Sequence, residues 1–366
     1  MTSAGLNIGI AVSPTWLRGE AWRAADSRVE ELFDLAPFTD LAAAAEAAHL
    51  DFLFAPDAGH LDPRVLDRSP GFSTHDSHTL VTALAARTSR IGVVPTVQTL
   101  FASPYTAARQ LMSLHRLSGG RAGWNAVTAL GGGANHGLGT PPGSEERYAR
   151  ARAFVDTVRE LWRRYPAEAL LLDRAEGRFA EARRVRTVDR DDGHFSVAGP
   201  LTVAAHPSGD PPLFQAGGSA AGIAFAGATA DAVFAVAATE ADAVAQRAAL
   251  SAAAERAGRP ADAVRFLPGL VVTLAESRAE AERAADAQRA SRGPAHWAVT
   301  GTPGDAVAAI AARAETGAID GFIALAGGSW RSVELFLGEV VPALAAEGLF
   351  RDAYAGRGLR EHLGLR

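Results

Sequence analysis

Cysteine and lysine are both missing from the 366 residues. Without a thiol there is no disulfide, no cysteine nucleophile, no thiolate metal site and no cysteine-ligated iron–sulfur cluster. Without a lysine there is neither Schiff-base catalysis nor a phosphate-loop lysine, and all 36 basic residues are arginine. Apolar runs long enough to cross a bilayer are missing too, and no charged leader followed by an apolar core opens the chain. The expected setting is therefore the cytoplasm, without membrane attachment. The 36 basic residues face 41 acidic ones, for a net charge of −5, with no basic stripe. That balance argues against nucleic acid as a partner and leaves a small molecule.

What the chain does hold is a core: hydrophobic residues make up 48% and charged residues 21%. Short β-branched and aromatic runs alternate with helical patterns. Strands are expected at 6–13, 51–55, 91–99, 121–128, 212–216, 231–236, 266–274 and 321–326. Helices are expected at 38–49, 78–87, 105–117, 145–164, 219–228, 240–257, 303–316 and 332–347. Eight strands in regular βα order favour an α/β fold, a (β/α)8 TIM barrel with insertions, as a single domain over 1–366. The alternation pauses at 165–211, read as an insertion with a short hairpin around Gly193 to Val197. Gly131-Gly132-Gly133 marks 129–144 as a mobile loop that acts as a lid.

Barrel enzymes place their chemistry at the C-terminal ends of the strands. The polar residues there are Asp57, Thr96, Thr99, Asn125, Thr128 and the turn Gly217-Gly218-Ser219. That turn opens a helix, where backbone N–H groups and the helix dipole hold a phosphate. A dinucleotide fingerprint fails because its third residue is Ser219 instead of glycine and no acidic residue closes a following strand at the expected distance, so a mononucleotide is expected. Several plainer readings stand beside these. Asp57 is also a fitting helix cap, Tyr148 a fitting core aromatic, and Ser118 to Ala129 an ordinary buried strand with polar ends. Gly217 to Ala221 falls one residue short of a nucleophile elbow, which leaves a serine hydrolase acting through Ser219 as an alternative. His75 and His78, beside Asp76 and Ser77, lack a third ligand nearby, so helix capping is read there and no metal is expected.

The stretch "LSGGRAGWNAVTA" at 117–129 resembles the signature of the nitrilotriacetate and dibenzothiophene-sulfone monooxygenase group of bacterial luciferase-like flavin enzymes. Similar words follow in the same order along the chain: Ala21-Trp22-Arg23, Ala55-Pro56-Asp57, Pro104-Tyr105, Arg147-Tyr148, Gly193-His194-Phe195, Gln215-Ala216-Gly217, and the tail from Val340 to Leu365. The resemblance implies a luciferase-like barrel, a homodimer or homotetramer, that binds FMN in its reduced form. Electrons would come from a separate NAD(P)H:flavin reductase, and O2 would oxygenate a small organic substrate with C–N or C–S cleavage. It gives Asp57, Thr99, Asn125 and Thr128 to the ring or ribityl chain, and Tyr148 to the phosphate. Beside the resemblance, Trp16, Trp22, Phe54 and Phe101 are candidates for an apolar substrate wall and Arg18 or Arg23 for pairing with a substrate carboxylate through its planar fork, while each reads equally well as an exposed loop residue. The chain departs from the pattern at Ser144, where the family places a histidine, and at Gln98, where it places a small hydroxyl. It also departs at Ala129, where the family has serine, and in a shortened segment 277–297. These departures motivate a second alternative, an FMN-binding barrel without oxygenase turnover.

Overall fold

Among the described residues thirteen strands form, where β-branched, aromatic and small apolar residues cluster. The computed structural model describes residues 5–128, 131–140, 142–288 and 295–365. In chain order the strands are β1 (Asn7–Ala11), β2 (Phe52–Ala55), β3 (Gly92–Gln98), β4 (Trp124–Val127), β5 (Leu170–Asp173), β6 (Arg178–Ala180), β7 (Arg190–Asp191), β8 (Ser196–Val197), β9 (Leu213–Ala216), β10 (Ala232–Ala235), β11 (Arg265–Leu274), β12 (Trp297–Gly301) and β13 (Gly321–Gly327). The helices are α1 (Ala36–Ala47), α2 (Ser77–Ala85), α3 (Pro104–Leu117), α4 (Ser144–Arg163), α5 (Ala220–Thr229), α6 (Glu240–Arg256), α7 (Arg278–Gln288), α8 (Pro303–Glu315), α9 (Trp330–Leu335), α10 (Val341–Ala346) and α11 (Leu359–His362).

Eight parallel strands close a barrel in the order β1, β2, β3, β4, β9, β10, β11, β13, with β13 paired back to β1. All eight were expected, and each is buried on both faces as parallel strands under helices must be. The ninth parallel strand, β12, was not expected. It pairs with residues 270–274 of β11, taking over the edge that β10 holds along 265–268. Its alternation of buried and open residues is five residues long, too brief to stand out after the alanine-rich stretch before it. The last long helix is also interrupted: a π-helical turn, Phe336–Val340, joins α9 to α10. Pro342 has no N–H to continue the ladder there.

Between α4 and β9 the chain makes two antiparallel pairs, β5 with β6 and β7 with β8. The second lies at the expected hairpin. Inside the barrel Phe52, Phe54, Val94, Phe214, Leu267 and Ile323 fill the axis, and Leu359 and Leu363 of the C-terminal tail close its lower end. Among the described residues no helix is long and apolar enough to cross a membrane.

Candidate functional site

The segment that resembles the family signature is built from a helix stop and a strand start. Gly119 and Gly120 take left-handed φ of 68° and 91°, and Gly120 N–H donates to His115 C=O at 2.8 Å, which ends α3. Arg121 is buried and donates to four carbonyls and one hydroxyl, those of Ser118, Ile91, Ala85 and Thr88 and the Thr88 side chain, at 2.7–3.1 Å. It binds the ends of α2 and α3 to the start of β3. Strand β4 then alternates: Trp124 and Ala126 pack under the helices while Asn125 points toward the axis.

At the upper mouth the ends of β2, β3, β4 and β9 surround a cavity of about 530 Å³ lined by Asp57, Gln98, Thr128, Arg147, Tyr148 and the turn Gly217-Gly218-Ser219. Ser219 caps α5 by accepting Gly222 N–H at 3.1 Å. The Tyr148 hydroxyl lies directly over this turn: a β-carbon at Gly217 would come within 2.8 Å of it, and one at Gly222 within 2.6 Å. Gln215, on the outer side of β9, reaches the same place, its Nε2 2.8 Å from a β-carbon at Gly217. Arg147 is anchored by one bond to Pro142 C=O at 3.0 Å, and its buried Nε has no acceptor among the described residues. A helix N-terminus, a phenol and a guanidinium thus converge on one end of the cavity, a set that suits a phosphate. No histidine bonds to Ser219 among the described residues, so its hydroxyl serves as a cap.

The inward face is polar where the cavity meets the axis. Thr96 donates to Ala55 C=O at 2.8 Å and accepts from Asn125 Nδ2 at 3.0 Å. Asn125 is 2% exposed and its Oδ1 has no partner among the described residues. A buried acceptor of this kind costs free energy unless something donates to it, as a ring N–H would. Burial pushes the Asp57 carboxyl above its ordinary value, and Ser77 N–H donates to it at 3.4 Å. Thr99 is held apart from these: its hydroxyl donates to Val127 C=O at 3.1 Å, tying the loop after β3 to β4.

The residues expected on the substrate side are not gathered in one place. Phe54 lies inside the barrel against Phe214 and Phe234. Phe101 stacks on His136 at 4.2 Å, 9° from parallel, within the segment expected to act as a lid. That segment rests on the loop after β2 through Asn135 Nδ2, which donates to Gly59 C=O at 2.8 Å; Ala129 lies outside the described residues. Trp16, read as substrate wall or exposed loop residue, is instead 2% exposed, edge-on to Trp330 and donating to Ser27 C=O at 3.0 Å. Its indole is core rather than cavity wall, because the loop after β1 folds back on the barrel. Trp22 donates to Arg68 C=O at 2.9 Å, and Arg23 is paired with Glu20 at 2.8 Å on the surface. Arg18 remains open at the rim.

Three site residues were missed. Arg147 stood next to Tyr148 in the resemblance, and Gln215 is a polar residue inside an apolar strand just before the glycines. His296 carried no signal. It stacks on Phe234 at 5.5 Å and lies against Gly269, inside the mouth, and burial followed by the charge of Arg18 pushes its pKa down to about 4. Among the described residues no cluster of three metal-ligating side chains forms.

The family model for luciferase-like monooxygenases matches residues 15–348. The N-acetyl-S-(2-succino)cysteine monooxygenase of Bacillus subtilis (strain 168) is 28% identical, with 98% of this chain and 96% of the relative covered. That alignment runs over 433 positions, more than the 366 residues present here, so the relative carries residues with no counterpart in this chain. Nitrilotriacetate monooxygenase component A of Aminobacter aminovorans is likewise 28% identical over 98% of this chain and 96% of its own length. Among solved structures, a riboflavin lyase crystallised with modified FMN and riboflavin superposes with a TM-score of 0.89 at 25% identity, covering 99% of this chain and 96% of that one.

Proposed function

The chain belongs to the luciferase-like monooxygenase family, and from that premise we propose that it takes reduced FMN from a separate NAD(P)H:flavin reductase and uses O2 to oxygenate a small organic substrate. The observation that carries this reading is the cradle in which the Tyr148 hydroxyl overhangs Gly217 and Gly222 at the start of α5. The unpartnered Asn125 Oδ1 at the axis supports it from the other end, as an acceptor for a ring N–H. The residues present therefore fit FMN. Tyr148, Arg147 and the N–H groups from Gly218 onward would hold its phosphate, while Asn125, Thr96 and Thr128 would meet the ribityl chain and ring. Bound reduced FMN supplies the electrons that activate O2.

The chain's own residues do the rest. Phe54, Phe214 and Phe234 make the floor of the mouth apolar and keep water from its axis. His296, neutral above about pH 4, places a polar edge beside that floor without adding a charge. The name "component A" of the Aminobacter relative and the flavin in the riboflavin lyase support the two-component, FMN-dependent part of the reading. A cytoplasmic dimer or tetramer is proposed on the resemblance.

The deciding experiment loads the protein anaerobically with reduced FMN, mixes it with oxygenated buffer, and follows flavin reoxidation with and without amine and thioether substrates. Reoxidation slower than that of free flavin, together with an oxygenated product when a flavin reductase and NADH are supplied, is expected. Reoxidation at the rate of free flavin at every protein concentration would count against the reading.

A further inference from the structure

Arg18 lies across the barrel from the phosphate cradle. The cradle sits at the ends of β4 and β9, the fourth and fifth strands around the barrel, whereas Arg18 follows β1, beside β13, the first and eighth. Its backbone is pinned there: Thr15 Oγ1 donates to Ala326 C=O at the end of β13 at 2.5 Å, and Glu20 N–H donates to Ala287 C=O at 2.8 Å. The side chain borders a small hollow with Ser13, Thr15 and Gly71 to Thr74. It is open to solvent, yet enough protein surrounds it to lower the pKa of its guanidinium.

No carboxylate among the described residues pairs with Arg18. The nearby acid Glu20 is taken by Arg23 at 2.8 Å, and Asp26 accepts the backbone N–H of Arg331 at 2.9 Å. The residues from 289 to 294 contain no acid in their sequence. A guanidinium with no partner among the described residues, bordering such a hollow, keeps its five donors for a ligand, and a planar oxyanion is their best match. His296, just before β12, lies inward of that side of the mouth, against Gly269 and with its ring stacked on Phe234.

We propose that Arg18 receives a carboxylate of the organic substrate, holding it across the mouth from the phosphate cradle with its carbon skeleton against Phe234 and His296. The inference rests on the flavin reading, since it is the flavin that would fill the space between the two ends. It selects acids over neutral compounds as substrates, and it separates Arg18 from Arg23, whose fork is already paired.

The test uses thiodiacetate, a small dicarboxylate thioether, and its uncharged diamide, each titrated calorimetrically into the FMN-loaded protein. Wild type is expected to bind the acid at least about tenfold more tightly than the diamide. Arg18→Gln should abolish that preference while leaving the FMN dissociation constant, read from flavin fluorescence, unchanged. Arg18→Lys should keep part of it, and Arg23→Gln all of it. Equal affinities for the two probes in wild type, including no measurable binding of either, would overturn the inference, as would a preference that survives in Arg18→Gln. Failure of FMN to bind wild type is a different result: it removes the flavin reading, and the same two titrations on the flavin-free protein then decide Arg18 by itself.

Discussion

Tyr148 is placed by α4 and used by α5. Its phenol fills the space that the missing side chains of Gly217 and Gly222 leave, so hydroxyl and helix N-terminus point at one volume. Tyr148→Phe keeps the ring and removes the donor, and is expected to weaken FMN binding by about 1 kcal/mol, roughly fivefold. Gly222→Ala forces the phenol aside and should cost more; both are read from quenching of flavin fluorescence on titration. A second residue-scale effect concerns His115, fully buried at the end of α3 beside His206, Ser208 and Arg360. Burial, followed by the charge of His206, pushes its pKa from an ordinary 6.5 to about 4. Between those values the unfolded chain binds the proton and the folded chain does not. Stability from this group is therefore complete above about pH 6.5 and is lost as pH falls toward 4, by on the order of 3 kcal/mol. Urea midpoints at pH 7.5 and pH 5 should fall further apart in wild type than in His115→Gln.

At the scale of elements, the segment at 117–129 shows what a sequence discloses. The two glycines announced the helix stop and the β-branched run announced the strand, because each acts through local backbone preference. Arg121 gave no such signal. Its worth lies in carbonyls from α2, β3 and the end of α3, and nothing in its neighbours along the chain reveals that they meet. Trp16 was misplaced for the same reason, since the loop that carries it is ordered by Trp330, more than three hundred residues away. Replacing Arg121 by methionine retains apolar bulk but leaves the carbonyls of Ile91, Ala85 and Ser118 without a donor. The expected loss is on the order of 3 kcal/mol, and lysine, a single point donor in place of a fork, should recover only part of it. Thermal unfolding of the two variants beside wild type measures both.

Across the whole molecule the barrel divides its work between its ends. The eight strands were legible because each parallel strand is predominantly apolar and punctuated by a helix. In the candidate site, the glycine turn and Asn125 stood out in the sequence, whereas His296, brought to the mouth where β12 adds to the edge of β11, did not. The lower end is closed instead. There Leu359 reaches the starts of β3 and β4, where β-carbons at Gly92 and Gly123 would meet it at 2.6 and 2.8 Å, and Arg351 pairs with the fully buried Asp51. The tail is thus a plug that the barrel's glycines are shaped to admit. Leu359→Ala opens a cavity at that end and should cost about 2 to 4 kcal/mol in denaturant unfolding. The FMN dissociation constant should stay unchanged in that variant, because the cradle is at the opposite end of strands that remain paired along their length. A loss of flavin affinity matching the loss of stability would instead mean that the lower plug sets the geometry of the upper mouth.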